Sequence, residues 1–140
     1  MASRTSRSVA RIADLRRGAA VVELAICLPL LVMLVFGSLQ ACNLIYLKHA
    51  ITAAAYEGTL ELAKPNATNA TVLARVQQVL DARGVVSTNA LILPSGSDVN
   101  AVATGTALTI SVTANSAANL SFSGFFLSPA TLSSNIVATR

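Results

Sequence analysis

The 140-residue sequence is 54% hydrophobic and only 11% charged, against about 25% charged residues in a typical soluble domain, which excludes an ordinary soluble globular chain. The formal net charge of +4 resides entirely in the first 18 residues, where Arg4, Arg7, Arg11, Arg16 and Arg17 stand against a single acid, Asp14. Beyond them the charges balance, and no basic patch interleaved with aromatic residues remains, so the expectation is no nucleic acid among the partners.

The basic segment leads into residues 24–47, 24 residues without Asp, Glu, Lys or Arg, where about 20 suffice to cross a bilayer. One membrane span is expected. Five arginines before it and only Lys48 and Lys64 shortly after it place the N-terminus in the cytoplasm by the positive-inside rule, and everything beyond the span outside it. Cys27 and Cys42 both lie within this run, about 22 Å apart on a helix, too far for an intrachain bridge. The exported part is therefore expected to fold without disulfides.

The helix should continue past the membrane, because Leu44, Leu47, Ile51, Ala55, Gly58 and Leu62 extend one apolar stripe at three- and four-residue spacing. Its expected end is near Lys64, since Pro65 disfavours helix at the residue before it. A second amphipathic helix is predicted over 72–83, capped by Asn69 or Thr71, with Val72, Val76, Val79 and Leu80 on one face and Gly84 at its end. Residues 107–114 alternate Leu108, Ile110 and Val112 with Thr109, Ser111 and Thr113, the period of a half-buried antiparallel strand. Further strands are predicted at 91–93, 99–103 and 132–138, separated by turn residues at Pro94-Ser95-Gly96-Ser97, Thr104-Gly105 and Ser128-Pro129. A tail of this size makes a marginal core alone. The sheet is therefore expected to pack on the extramembrane half of the long helix, where Ala54, Ala55 and Gly58 permit close approach. The fold class is α+β: a long N-terminal transmembrane helix, a second helix and an antiparallel β-sheet.

At the junction of leader and helix the sequence reads Arg16-Arg17-Gly18-Ala19-Ala20-Val21-Val22-Glu23-Leu24. A glycine lets the backbone approach and extend into a peptidase, and the arginines hold the scissile bond at the cytoplasmic face. The arrangement resembles the processing site of type IV prepilins, in which a membrane-embedded aspartic peptidase cuts after the glycine and a glutamate occupies the fifth mature position. The resemblance implies cleavage between Gly18 and Ala19 and an assembly or recognition role for Glu23, about 6 Å along the helix from Ala19 and near the membrane surface. Spacing alone also fits an uncleaved signal-anchored periplasmic binding or envelope module, with Glu23 an interfacial acid.

The words around the junction, on through Leu28-Pro29-Leu30-Leu31 and Phe36-Gly37 to Ala53-Ala54-Ala55-Tyr56-Glu57-Gly58, resemble the TadE-like pseudopilins of tight-adherence (Flp-type) pilus systems. That resemblance implies a minor, pilin-like structural protein of the bacterial inner membrane, processed by a prepilin peptidase and partnered by other pilins or pseudopilins and inner-membrane assembly proteins, without catalysis, cofactor or metal. It covers about Arg16 to Ala63, and together with the residue pattern it gives the expected organisation: a cytoplasmic leader at 1–18, a transmembrane helix at 19–47, the extramembrane part of the same helix at 48–64 and a periplasmic α+β domain at 65–140. The chain departs from the family at Tyr56 and Leu60, where arginines are frequent, so contacts made by those arginines are in doubt here. The major pilin of such systems is shorter and nearly without a domain beyond its helix, so the sheet-bearing tail implies an accessory role.

Several residues carry a second reading beside a plain one. Pro29 frees the Ala25 carbonyl and can bend the span for filament packing, or is a tolerated membrane proline. Gly37 and Ala41 form a small-xxx-small pair that lets another transmembrane helix approach, a pattern also frequent by chance. Leu39-Gln40-Ala41-Cys42 faintly resembles a lipobox, which would start a lipoprotein at Cys42, although Gln40 fits poorly and apolar residues continue beyond. His49 is the sole histidine and has no ligand-spaced neighbour, so neither a metal site nor a catalytic triad is expected. The Asn66-Ala67-Thr68 and Asn69-Ala70-Thr71 sequons read as loop residues. Phe122, Phe125 and Phe126 concentrate the aromatics in one connection, as core or as a contact with a membrane or partner.

Overall fold

A computed structural model describes residues 3–94, 96, 98–120 and 128–140, with side chains from Gly18 onward. The turn residues at 95 and 97 and the connection holding Phe122, Phe125 and Phe126 lie outside the described residues. The chain forms two compact units, residues 1–39 and 40–140, and one helix, α1 (Ser3–Leu62), supplies residues to both. Helix therefore begins within the basic N-terminal segment, 15 residues before Gly18, and continues through Pro29.

In the first unit α1 buries nothing from Gly18 to Phe36. Val21, Leu24, Ile26, Leu30 and Leu34 are 59–68% exposed. A helix apolar on every side calls for burial, in a membrane or against other protein. Gly18–Leu62 is long and apolar enough to span a membrane, its most apolar 18-residue window reaching a mean hydropathy of 2.7. At 1.5 Å per residue the uncharged run alone covers about 36 Å, against about 30 Å of hydrocarbon.

In the second unit α1 becomes one-sided. Leu47, Ala50, Ile51, Ala54, Ala55 and Leu62 are fully buried, while Ile45, Tyr56 and Leu60 stay exposed on the opposite face. The helix stops at Leu62 rather than Lys64 because Pro65 excludes helical backbone before it; the chain tightens there into short turns, Lys64 N–H donating to the Glu61 carbonyl at 3.1 Å and Ala67 N–H to the Lys64 carbonyl at 3.1 Å.

Helix α2 (Asn69–Ala82) begins three residues earlier than its apolar face suggests. The cap is Thr68, not Asn69 or Thr71: its hydroxyl accepts the Thr71 N–H at 3.1 Å while the Thr71 hydroxyl accepts the Thr68 N–H at 2.9 Å, a reciprocal capping box. Asn69 has a different task, its carboxamide oxygen accepting the Val99 N–H at 2.9 Å. At the far end Gly84 adopts φ +67°, so that Val85 N–H reaches the Leu80 carbonyl and Gly84 N–H the Asp81 carbonyl, both at 3.0 Å, a Schellman closure with Val85 and Leu80 both in the core.

Three strands, β1 (Thr88–Leu93), β2 (Ala107–Asn115) and β3 (Thr131–Thr139), form an antiparallel sheet in chain order with β2 central. The register aligns Ile92, Ile110 and Ile136 across the sheet, with Ala90, Val112 and Ser134 in the next inward row. Leu108, Ile110, Val112 and Ala114 of β2 are all buried, and the intervening residues are not, as the period-two alternation requires. Residues 99–103 do not form the predicted strand. Asp98 organises them as a turn, its carbonyl accepting the N–H groups of Ala101 (2.9 Å) and Val102 (3.2 Å) and its carboxylate that of Asn100 (3.2 Å). Val99, fully buried, and Val102 contact the core from this turn; their spacing of three belongs to a turn, not a strand. A single helical turn, α3 (Ser116–Asn119), follows β2 under an Asn115 cap.

Candidate processing and assembly site

Gly18, Ala19 and Glu23 lie on successive turns of α1, all exposed. A Cβ at Gly18 would meet nothing within 4 Å, and its backbone is helical. Glycine in a helix costs about 1 kcal/mol relative to alanine, and here neither packing nor backbone conformation within the chain requires it. Arg16 and Arg17 belong to the same helix, with side chains outside the described residues. Pro29 and Ala41 are exposed, Gly37 is half-buried, and a Cβ at Gly37 would likewise meet nothing within 4 Å. Cys27 and Cys42 are free and exposed, and Cys42 sits 20 residues before the end of α1, inside the helix rather than at its start.

Ala54, Ala55 and Gly58 differ in kind. All three are buried, and a Cβ on Gly58 would lie 2.6 Å from Val76 Cγ2 and 3.0 Å from Ile110 Cδ1. Gly58 is therefore where α1, α2 and β2 meet.

Polar contacts that the apolar pattern does not reveal surround this junction. Arg75 of α2 donates through Nε (3.2 Å) and Nη2 (2.8 Å) to one oxygen of Glu57 on α1. Tyr46 donates its hydroxyl to the Arg83 carbonyl at 3.1 Å. On the other flank Lys48 Nζ donates to the Ser133 carbonyl, and the buried Ser134 hydroxyl bonds Thr52 at 3.1 Å. Opposite charges on two helices joined by a short loop are the one sequence signal that could have found the Glu57–Arg75 pair. Nothing in the sequence marks the contacts of Lys48 and Tyr46 with distant carbonyls. Tyr56 and Leu60, 55% and 48% exposed, leave an apolar stripe on the solvent side of α1. Among the described residues no cluster of three His, Cys, Asp or Glu could hold a metal ion.

An exposed apolar helix leading into a small α+β unit fits the class of proteins anchored in a membrane near the N-terminus. Residues 18–60 match the family of TadE-like proteins, so along this stretch of α1 the chain is similar to that family. The match ends before α2 and the sheet begin. Comparisons with curated proteins and with solved structures give no match.

Proposed function

We propose that the chain is a minor pilin-like structural protein of tight-adherence pilus assembly, cut by a prepilin peptidase between Gly18 and Ala19. The observation that carries this reading is that the family match opens at Gly18, the residue at which the chain's whole charge excess meets its apolar helix. A helical glycine that the chain's own structure does not need supports the same site: its use lies with whatever enzyme must unwind and enter the backbone there. Cleavage leaves a helix from Ala19 to Leu62, anchored with its N-terminus at the cytoplasmic face of the inner membrane and its α+β unit in the periplasm. There the protein meets other pilins or pseudopilins and the assembly machinery.

Glu23 then acts in assembly. Packed among helices the carboxylate loses water, at a cost that a cation must offset; the new Ala19 amine, of the same or a neighbouring subunit, stands close enough along the helix to do so and sets the register. Gly18→Leu is expected to block both processing and piliation, whereas Glu23→Ala is expected to permit cleavage and reduce assembled pili. Immunoblots of leader removal, with pilus counts from the same cells, read both effects, and normal piliation with both substitutions would remove the mechanism.

A further inference from the structure

The strands, of 6, 9 and 9 residues, contain neither a charged residue nor a proline, and their pairing runs without a bulge. Soluble sheets normally protect their edges with one of these devices. Among the described residues the charged contact on an edge strand is that of Lys48 with the Ser133 carbonyl, which protects only the start of β3.

The ladder shows which backbone groups remain outward. Arg140 N–H donates to the Thr106 carbonyl and Ser116 N–H to the Ala130 carbonyl, so even-numbered β3 residues bond β2, and Asn135, Val137 and Thr139 turn their N–H and C=O groups out of the sheet. Asn115 N–H donates to the Ser87 carbonyl, so on β1 the outward groups belong to Thr88, Ala90 and Ile92. Both strands are antiparallel to β2 and hence point the same way.

We propose that β3 of one copy adds in parallel along β1 of the next, joining the sheets of successive molecules. The inference rests on the proposed single anchor, because copies held in one membrane share an orientation that directs β3 and a neighbour's β1 alike. Val137 then lies beside Leu91 of the next copy. Both are on the sheet face away from the helices and are 64% and 48% exposed in the single chain; paired, they shield each other. Asn135 falls beside Asn89 and Thr139 beside Leu93. In this register Asn135 N–H donates to the Thr88 carbonyl, Val137 N–H to the Ala90 carbonyl and Thr139 N–H to the Ile92 carbonyl, while the Asn135 and Val137 carbonyls accept from Ala90 and Ile92. The pairing stops by itself at both ends: Lys48 already holds the Ser133 carbonyl that Thr88 N–H would seek, and Pro94 has no N–H to give the Thr139 carbonyl. A contact between two different edges does not close on itself, so it extends from copy to copy.

Disulfide trapping in the full-length, membrane-bound protein tests this. In a Cys27→Ser, Cys42→Ser background, Leu91→Cys with Val137→Cys places thiols on adjacent strands about 4.8 Å apart, within bridging range. Inside one chain they are separated by β2, about 10 Å, beyond it. Mild oxidation is expected to give a ladder of linked multimers from the double variant and monomers from either single variant. Asn89→Cys with Asn135→Cys is expected to give the same ladder. Adding Val137→Pro, which removes only an outward N–H and spares the bonds to β2, is expected to abolish that second ladder. No linked species, or dimers from Val137→Cys alone, overturns the proposal. N-terminal sequencing of the same membranes separates the two ideas: unlinked protein beginning at Ala19 overturns the edge contact alone, whereas linked protein with an intact leader supports the edge contact and overturns the processing.

Discussion

Gly18, Gly37 and Gly58 stand on one helix and answer to different demands. The first two face open space and the third is pressed against Val76 and Ile110. In the sequence each is a small residue in an apolar run, and only the spacing of Ala54, Ala55 and Gly58 along the buried stripe hints at the difference. Gly58→Ala should therefore destabilise the folded unit despite gaining about 1 kcal/mol of helix propensity, because the added methyl overpacks at a cost of about 1–3 kcal/mol. Thermal unfolding of the detergent-extracted protein is expected to show a lower Tm for Gly58→Ala and no loss for Gly37→Ala. An unchanged Tm for Gly58→Ala would mean that Val76 and Ile110 yield freely. The candidate site is legible at this scale because its signals are local: Gly18, Glu23 and the arginines lie within one short stretch. The contacts of Lys48 and Tyr46 are not, because their partners are backbone carbonyls 85 and 37 residues away.

Among elements, legibility follows how completely periodicity decides the structure. β2 packs one face on the helices and leaves the other partly open, so its alternation gives its bounds to within a residue. Residues 99–103 mislead because two core-contacting valines in a short apolar run fit either a strand or a turn, and Asp98 decides for the turn through bonds to the backbone of residues 100–102. The α2 boundary shifts for a similar reason: Thr68 and Thr71 complete a reciprocal pair that a single capping residue does not reveal. Thr68→Ala should cost about 1 kcal/mol. Thr71→Ala should cost less than that again when added to Thr68→Ala, since the box is already broken. Urea unfolding of the two single variants and the double variant checks this, and full additivity would show that the hydroxyls act independently.

At the scale of the whole molecule, charge, hydropathy and folding are partitioned along the chain. The helix α1 opens with a basic segment and continues as an exposed apolar stretch; the same helix then turns one face into the core of a small α+β unit whose strands bear no charge. Length and composition foreshadow the anchor and the fold class, because an uncharged run of bilayer length has few other uses in water. The TadE-like match covers α1 from Gly18 nearly to its end, while α2 and the sheet lie beyond it. The proposed role in assembly depends on a mature protein that begins where the charge excess ends. Intact mass and N-terminal sequence of the membrane-extracted protein test that most directly: the expected result is a chain beginning at Ala19, and one beginning at Met1, Ala2 or a lipidated Cys42 would contradict it.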